Sequence, residues 1–147
     1  MRSTEDGAGS AIVRASANIA PGAPHPEPMK VVILCGGLGT RLRDETEFRP
    51  KPMVEVAGRP LLWHIMKIFA RYGHREFVLA LGYKGEVIKQ YFLDYERWTR
   101  DVTVRLGGEP RLTFHGPAAE PWTVTLADTG ATANTGARVK RVERGQI

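Results

Sequence analysis

The sequence predicts an α/β fold with a mixed, mainly parallel sheet, and three observations carry that prediction. Val31 to Cys35 is a short apolar run rich in β-branched residues, the composition of a strand buried on both faces. Glu76 to Gly82 is a second such run, and between the two lies a segment with apolar residues at helical spacing. A further amphipathic segment follows the second run. Strand, helix, strand, helix with short connections argues for parallel strands joined by right-handed crossovers.

In chain order, residues 1–28 are rich in Ala, Gly, Ser and Pro, and Pro21-Gly-Ala-Pro-His-Pro-Glu-Pro28 cannot continue a helix and makes a poor strand. This segment reads as a disordered leader. It lacks the apolar stretch of a secretory signal, and Met29 opens directly onto the first strand, as a translation start there would. After the strand come Gly36, Gly37 and Gly39, which let the backbone turn sharply and approach a ligand. Arg43 to Arg49 is polar and charged, a loop or short helix leading to Pro50-Lys-Pro52. Met53 to Ala57 alternates as a short strand would, Gly58-Arg-Pro60 is a turn, and Pro60 is placed to open a helix.

That helix is expected over Leu61 to Tyr72, with Leu61, Leu62, Ile65, Met66, Phe69 and Tyr72 on one face and Gly73 as its stop. Past the Glu76–Gly82 strand, Val87, Ile88, Tyr91, Phe92 and Tyr95 form the apolar stripe of a second helix. Then the character changes. Asp101 to Leu106 and Arg111 to His115 alternate and are expected to pair as a hairpin across Gly107–Pro110. Pro121 to Gly130 is another strand, closed by a turn at Asp128-Thr-Gly130, and Thr135 to Val142 begins a basic helix.

The chemistry concentrates behind the first strand. Successive backbone N–H groups in a glycine-rich turn form a concavity for anions. Thr40 adds a hydroxyl, and Arg41 adds a planar fork of donors matched to phosphate oxygens. Lys51 is held between two prolines, so its ammonium comes from a stiffened segment. Together these residues suit a polyphosphate. The motif is neither the dinucleotide fingerprint, whose third glycine is missing, nor a Walker loop, since no Gly-Lys-Ser/Thr follows. A tight structural turn beside a surface arginine is the alternative for the glycines taken alone.

The 147 residues suit one domain at most, with 42% hydrophobic residues to build a core. A net charge of +5 favours anionic ligands. No nucleic-acid-binding motif is present, so no nucleic-acid partner is expected. No apolar run approaches membrane-spanning length, so no membrane association is expected. The single cysteine, Cys35, precludes an internal disulfide and fits a reducing cytoplasm. The four histidines show no metal-ligand spacing.

Gly36-Gly-Leu-Gly-Thr-Arg-Leu42, Pro50-Lys-Pro-Met-Val54, Leu62-Trp-His-Ile-Met-Lys67, Leu81-Gly-Tyr-Lys-Gly85, Glu120 to Gly130 and Thr135-Gly-Ala-Arg138 together resemble the sugar-1-phosphate nucleotidyltransferases, in their glucose-1-phosphate-specific cytidylyl branch. The resemblance implies a Rossmann-like nucleotidyltransferase sheet of the GT-A-like kind, here the N-terminal part of the domain over residues 29–147. It implies CTP and glucose 1-phosphate as substrates, Mg²⁺ as cofactor, and a homo-oligomer in the full-length enzyme. By the same resemblance Leu34, Cys35, Gly36, Gly37 and Leu38 contact the nucleotide. Gly39, Thr40 and Arg41 contact the triphosphate, and Lys51 holds the phosphates. Arg41 and Lys51 are the catalytic candidates, and Thr135 and Arg138 lie near the nucleotide. The family's metal-binding aspartates fall beyond Ile147, so no metal ligand is assigned. A uridylyl- or thymidylyltransferase, a nucleotide-binding module without catalysis, and a basic scaffold fragment are the competing readings. A solvated basic helix is the alternative for Thr135 to Arg141.

Overall fold

Two apolar segments and one alternating segment, Thr123–Asp128, become the three strands of one parallel sheet, whose apolar positions are buried under helices. The computed structural model describes residues 28–37, 49–109 and 111–143. Residues 1–27 of the leader lie outside the described residues, as do Leu38, Gly39, Thr40 and Arg41 of the glycine motif and Arg43 to Phe48 of the segment after it. Strands β1 (Lys30–Cys35), β4 (Glu76–Leu81) and β7 (Thr123–Asp128) run in the order β1-β4-β7, all parallel. The central strand is buried from Phe77 to Leu81. Strand β1 is not buried on both faces as its composition suggested. It is an outer strand, with Ile33 and Cys35 buried and Val31, Val32 and Leu34 half-buried.

Helices α1 (Leu61–Arg71) and α2 (Gly85–Leu93) supply the cover. Leu62 and Met66 of α1 and Ile88 of α2 join Ile33, Cys35, Phe77, Leu79 and Leu81 in one core. Each such side chain contributes about 1.5–3 kcal/mol by leaving water. Helix α1 ends where expected: Tyr72 caps it and Gly73 takes φ +91°, a conformation that side chains disfavour. The second apolar stripe is interrupted. Helix α2 stops at Leu93, and Asp94 separates it from the short helix α3 (Tyr95–Thr99). Trp63 of α1 reaches across to donate its Nε1 proton to the Tyr95 hydroxyl at 2.9 Å.

The segment Met53–Ala57 is not one strand. Lys51–Met53 is a turn of 3₁₀ helix, and β2 (Glu55–Val56) pairs antiparallel with β3 (Arg59–Pro60). The turn is Ala57-Gly58, not Gly58 to Pro60, with φ +49° and +76°. Two central residues with positive φ are what a tight hairpin of this length needs to match the twist of its strands. The second hairpin, β5 (Asp101–Arg105) with β6 (Arg111–His115), forms as the sequence indicated and stands as its own sheet. The last helix, α4 (Thr135–Glu143), packs against β4.

Candidate functional site

The register of the sheet brings Cys35, Leu81 and Asp128 level, so all three strands end at one edge. The residues just past those ends are Gly36, Gly82 and Thr129. In an open parallel sheet this edge is where a ligand is received. Gly36 is buried and Gly37 exposed, so the glycine loop leaves the sheet here and the chain opens to solvent.

Arg138 holds this edge together. It lies one turn into α4, which Asn134 starts by accepting the Ala137 N–H at 2.8 Å on its Oδ1. Its side chain turns inward and is 4% exposed. Nη1 donates to the Leu81 carbonyl at 2.9 Å and to Thr129 Oγ1 at 2.7 Å. Nη2 donates to the Gly36 carbonyl at 3.0 Å and to the Ala131 carbonyl at 3.3 Å. One guanidinium thus ties the ends of all three strands. Burial lowers its pKa from the usual arginine value, and the nearby charge of Asp128, then of Cys35, opposes that shift.

The glycines of the motif have a steric reason in this arrangement. A Cβ on Gly36 would sit 2.1 Å from Arg138 Cζ, and one on Gly82 would sit 2.3 Å from Arg138 Nη1. The guanidinium lies flat against two backbones, and only glycine leaves that room. Thr129 is a residue of this edge that the sequence reading missed. It is 2% exposed, donates its hydroxyl to the Leu81 carbonyl at 2.6 Å and accepts from Arg138. The Asp128-Thr-Gly130 turn was the available signal. The turn itself is sealed by Gly130 N–H donating to Asp128 Oδ1 at 3.0 Å, with Gly130 at φ +90°.

The other assigned residues are placed as follows. Leu34 is half-buried in β1, and the Cys35 side chain is packed into the core, 1% exposed. Burial pushes the Cys35 thiol up to about 12, with the Arg138 charge opposing, so it stays a neutral, inert thiol at ordinary pH. Lys51 is exposed, at the start of the 3₁₀ turn. Its neighbours are anchored: Pro50 and Met53 are buried, and Met53 N–H donates to the Pro50 carbonyl at 2.8 Å. The prolines therefore stiffen this segment as anticipated, with the lysine on its wet side. Thr135 is exposed at the start of α4, as are Lys140 and Arg141, whereas Arg138 is not. Helix α4 exposes its other basic residues, Lys140 and Arg141, and half-buries Val139 and Val142, with Arg138 alone of its bases turned onto the sheet.

A cleft of about 630 Å³ lies elsewhere, lined by Met53, Arg59, Gln90, Tyr91, Asp94 and Trp98 among others. Its walls carry Glu55, Glu86 and Asp94 against Arg49 and Arg59, with Arg49 paired to Glu55, so the cleft offers no excess of positive charge for a triphosphate. Among the described residues no three His, Cys, Asp or Glu side chains cluster as metal ligands. The Asp128 carboxylate is engaged by its own turn. These residues do not by themselves make a magnesium site. Among the described residues no helix is long and apolar enough to cross a membrane.

Comparison with known proteins bears on this edge directly. Residues 30–131, from the first strand through the turn after β7, match the family model described as nucleotidyl transferase. The chain belongs to the nucleotidyl transferase family. It is 54% identical over 114 residues to the glucose-1-phosphate cytidylyltransferase of Salmonella typhimurium, covering 78% of this chain and 44% of that protein. A probable glucose-1-phosphate cytidylyltransferase of Bacillus subtilis is 46% identical over 118 residues, 76% of this chain and 43% of that one. A UTP–glucose-1-phosphate uridylyltransferase of Haloferax volcanii is 37% identical over 119 residues, 77% of this chain and 49% of that one. This nucleotidyl transferase chain thus spans less than half the length of these relatives.

Proposed function

We propose that the chain is the nucleotide-binding part of a glucose-1-phosphate cytidylyltransferase, which transfers a cytidylyl group from CTP to α-D-glucose 1-phosphate and releases CDP-glucose and pyrophosphate. The 54% identity to the Salmonella enzyme across most of this chain carries the reading. The strand-end edge supports it, because Gly36, the first residue of the glycine motif, and Arg138 meet there. In the reaction a phosphate oxygen of glucose 1-phosphate attacks the α-phosphorus of CTP, and the bond to the β-phosphate bridging oxygen breaks. Such a transfer needs positioning and charge stabilisation more than a protein nucleophile. The glycine-loop N–H groups, Thr40 and Arg41 would hold the triphosphate, with Arg41 neutralising the leaving pyrophosphate. Lys51, presented from its buried proline frame, would hold the phosphates during attack. Leu34 to Leu38 and Thr135 would contact the nucleotide, Cys35 through its backbone, and Arg138, buried behind the strand ends, would order that edge rather than touch the ligand. Mg²⁺, expected from the family, would supply charge neutralisation on the phosphates. The chain covers 44% of the Salmonella enzyme, and on this reading the 147 residues taken alone bind nucleotide without turning it over.

The uridylyl alternative keeps its place because the Haloferax relative matches nearly as much of the chain. Calorimetric titration of the chain with CTP, UTP and dTTP separates the two. Tightest binding of CTP, lost in Arg41→Ala, is the expected result. A preference for UTP would transfer the assignment to the uridylyl enzymes, and equal binding by Arg41→Ala would remove Arg41 from the site.

A further inference from the structure

The β5–β6 hairpin stands apart from the main sheet, and an isolated two-stranded hairpin is marginal in water. Its register puts Val102 opposite Phe114 and Val104 opposite Leu112 on one face. On the other face Asp101 is opposite His115, Thr103 opposite Thr113, and Arg105 opposite Arg111. The first face is apolar and largely uncovered, with Val102, Val104 and Leu112 38%, 48% and 38% exposed. Among the described residues β5 pairs only with β6, which leaves its outer edge open to another strand.

The sequence of β5 is antisymmetric in charge about its centre. Asp101-Val-Thr-Val-Arg105 carries an acid at one end, a base at the other, and a valine on either side of Thr103. Laid antiparallel against a second β5 with the two threonines opposite, Asp101 faces the partner's Arg105 and Arg105 faces the partner's Asp101. Val102 and Val104 then face each other twice. The β6 edge offers no such match, because Arg111 would oppose His115. Two observations within the hairpin favour the same pairing. Arg105 lies opposite Arg111, a like-charged cross-strand pair that is unfavourable as it stands. Among the described residues neither Asp101 nor Arg105 has an ion-pair partner.

We propose that β5 pairs antiparallel with β5 of a second copy of this chain, centred on Thr103, joining the two hairpins into a four-stranded sheet ordered β6-β5-β5-β6. The pairing gives Arg105 a carboxylate and makes one continuous apolar face from two small ones. It is a docking surface separate from the strand-end edge of the main sheet.

Sedimentation velocity on the 147-residue protein tests this with Asp101→Arg, Arg105→Asp and the double reversal. The wild type is expected to dimerise. By the two-fold symmetry each single reversal turns two attractive pairs into two repulsive ones and weakens association on the order of tenfold or more. The double reversal restores complementarity and brings the dimer back. A wild type that stays monomeric, a dimer indifferent to the single reversals, or a double variant as weak as the singles overturns the proposal. Assemblies held by the apolar face alone appear as that indifference. Far-UV circular dichroism identifies any single variant that fails to fold. Thr103→Lys, which sets two ammonium groups together at the symmetry centre, then carries the test, with dissociation expected and an unchanged dimer refuting it.

Discussion

Replacing Gly82 by alanine isolates what Arg138 does for the sheet. Gly82 does not lie in the left-handed region, so alanine meets no backbone strain there. Its Cβ would nevertheless come within 2.3 Å of Arg138 Nη1 and 2.6 Å of Nη2. The guanidinium has to move, and its bonds to the Leu81 and Gly36 carbonyls and to Thr129 Oγ1 go with it. Leu81 keeps the Thr129 N–H at 3.0 Å and the Thr129 hydroxyl, so it is not orphaned. Among the described residues the Gly36 carbonyl then has no donor, at about 1–3 kcal/mol for a buried carbonyl, on top of charge-assisted bonds of about 1.5–3 kcal/mol each. Two effects offset this. The expelled guanidinium regains water, and a Gly→Ala exchange free of strain stabilises by about 0.4–1 kcal/mol through the unfolded chain. The net expectation is a loss of about 1–3 kcal/mol, or roughly 3–10 °C in Tm for a domain of this size. The decisive measurement is a cycle with Arg138→Ala, read by thermal unfolding. With the guanidinium gone, Gly82→Ala should cost nothing or stabilise slightly, a coupling of about 1–3 kcal/mol. The same fall in Tm in both backgrounds would refute the steric account, and Gly82 would owe its identity to something other than Arg138.

The buried thiol makes a pH prediction. The Cys35 pKa is raised by burial from 9.0 to about 12 in the folded chain, so the unfolded thiol loses its proton first as pH rises. The contribution is fully present below pH 9 and is lost between pH 9 and about 12, at a slope approaching 1.4 kcal/mol per unit. Denaturant titrations at pH 8 and 10.5 should therefore show Cys35→Ala closing part of its stability gap to the wild type at the higher pH, and a constant gap would contradict this. Ala57 holds φ +49° in its tight turn, so Ala57→Asn should raise stability by about 0.5–1 kcal/mol in a urea titration. Leu62→Ala should cost about 2–5 kcal/mol, because the side chain is wholly buried between α1 and the sheet. Lys51→Ala should weaken triphosphate binding measured by calorimetry, with the difference shrinking at high salt as charge interactions are screened; a salt-independent difference would point to packing instead.

Much of the fold was legible in local pattern. The apolar runs of β1 and β4, the helical spacing of α1 with Gly73 after it, and the hairpin across residues 107–110 all came from periods that side chains impose over short distances. The errors fell where two local choices were both reasonable. Met53 to Ala57 alternates as a strand does, yet Pro50 and Met53 are drawn into the core and wind the chain into a 3₁₀ turn, which leaves room for only a two-residue hairpin. The stripe from Val87 to Tyr95 continues past Asp94, but the backbone does not. Of the candidate site, the glycine motif and the proline-flanked Lys51 could be picked out because each is a short, local object in the sequence.

The sequence by itself determined the three strands of the main sheet, the β5–β6 hairpin, the alternation of strand and helix up to Leu93 and the family, because each rests on local patterns in the chain. Only the tertiary structure decided what Arg138 is. In the sequence it is one of several bases in a basic helix, set apart only by the resemblance, which places it near the nucleotide and says nothing of the strand ends. The parallel register brings residues 36, 81 and 129 to one edge, and α4 then reaches that edge from 102 positions away in the chain from Gly36. A guanidinium has enough donors in one plane to bind three strand ends at once. Which acceptors it finds depends on long-range packing, and no local pattern encodes that.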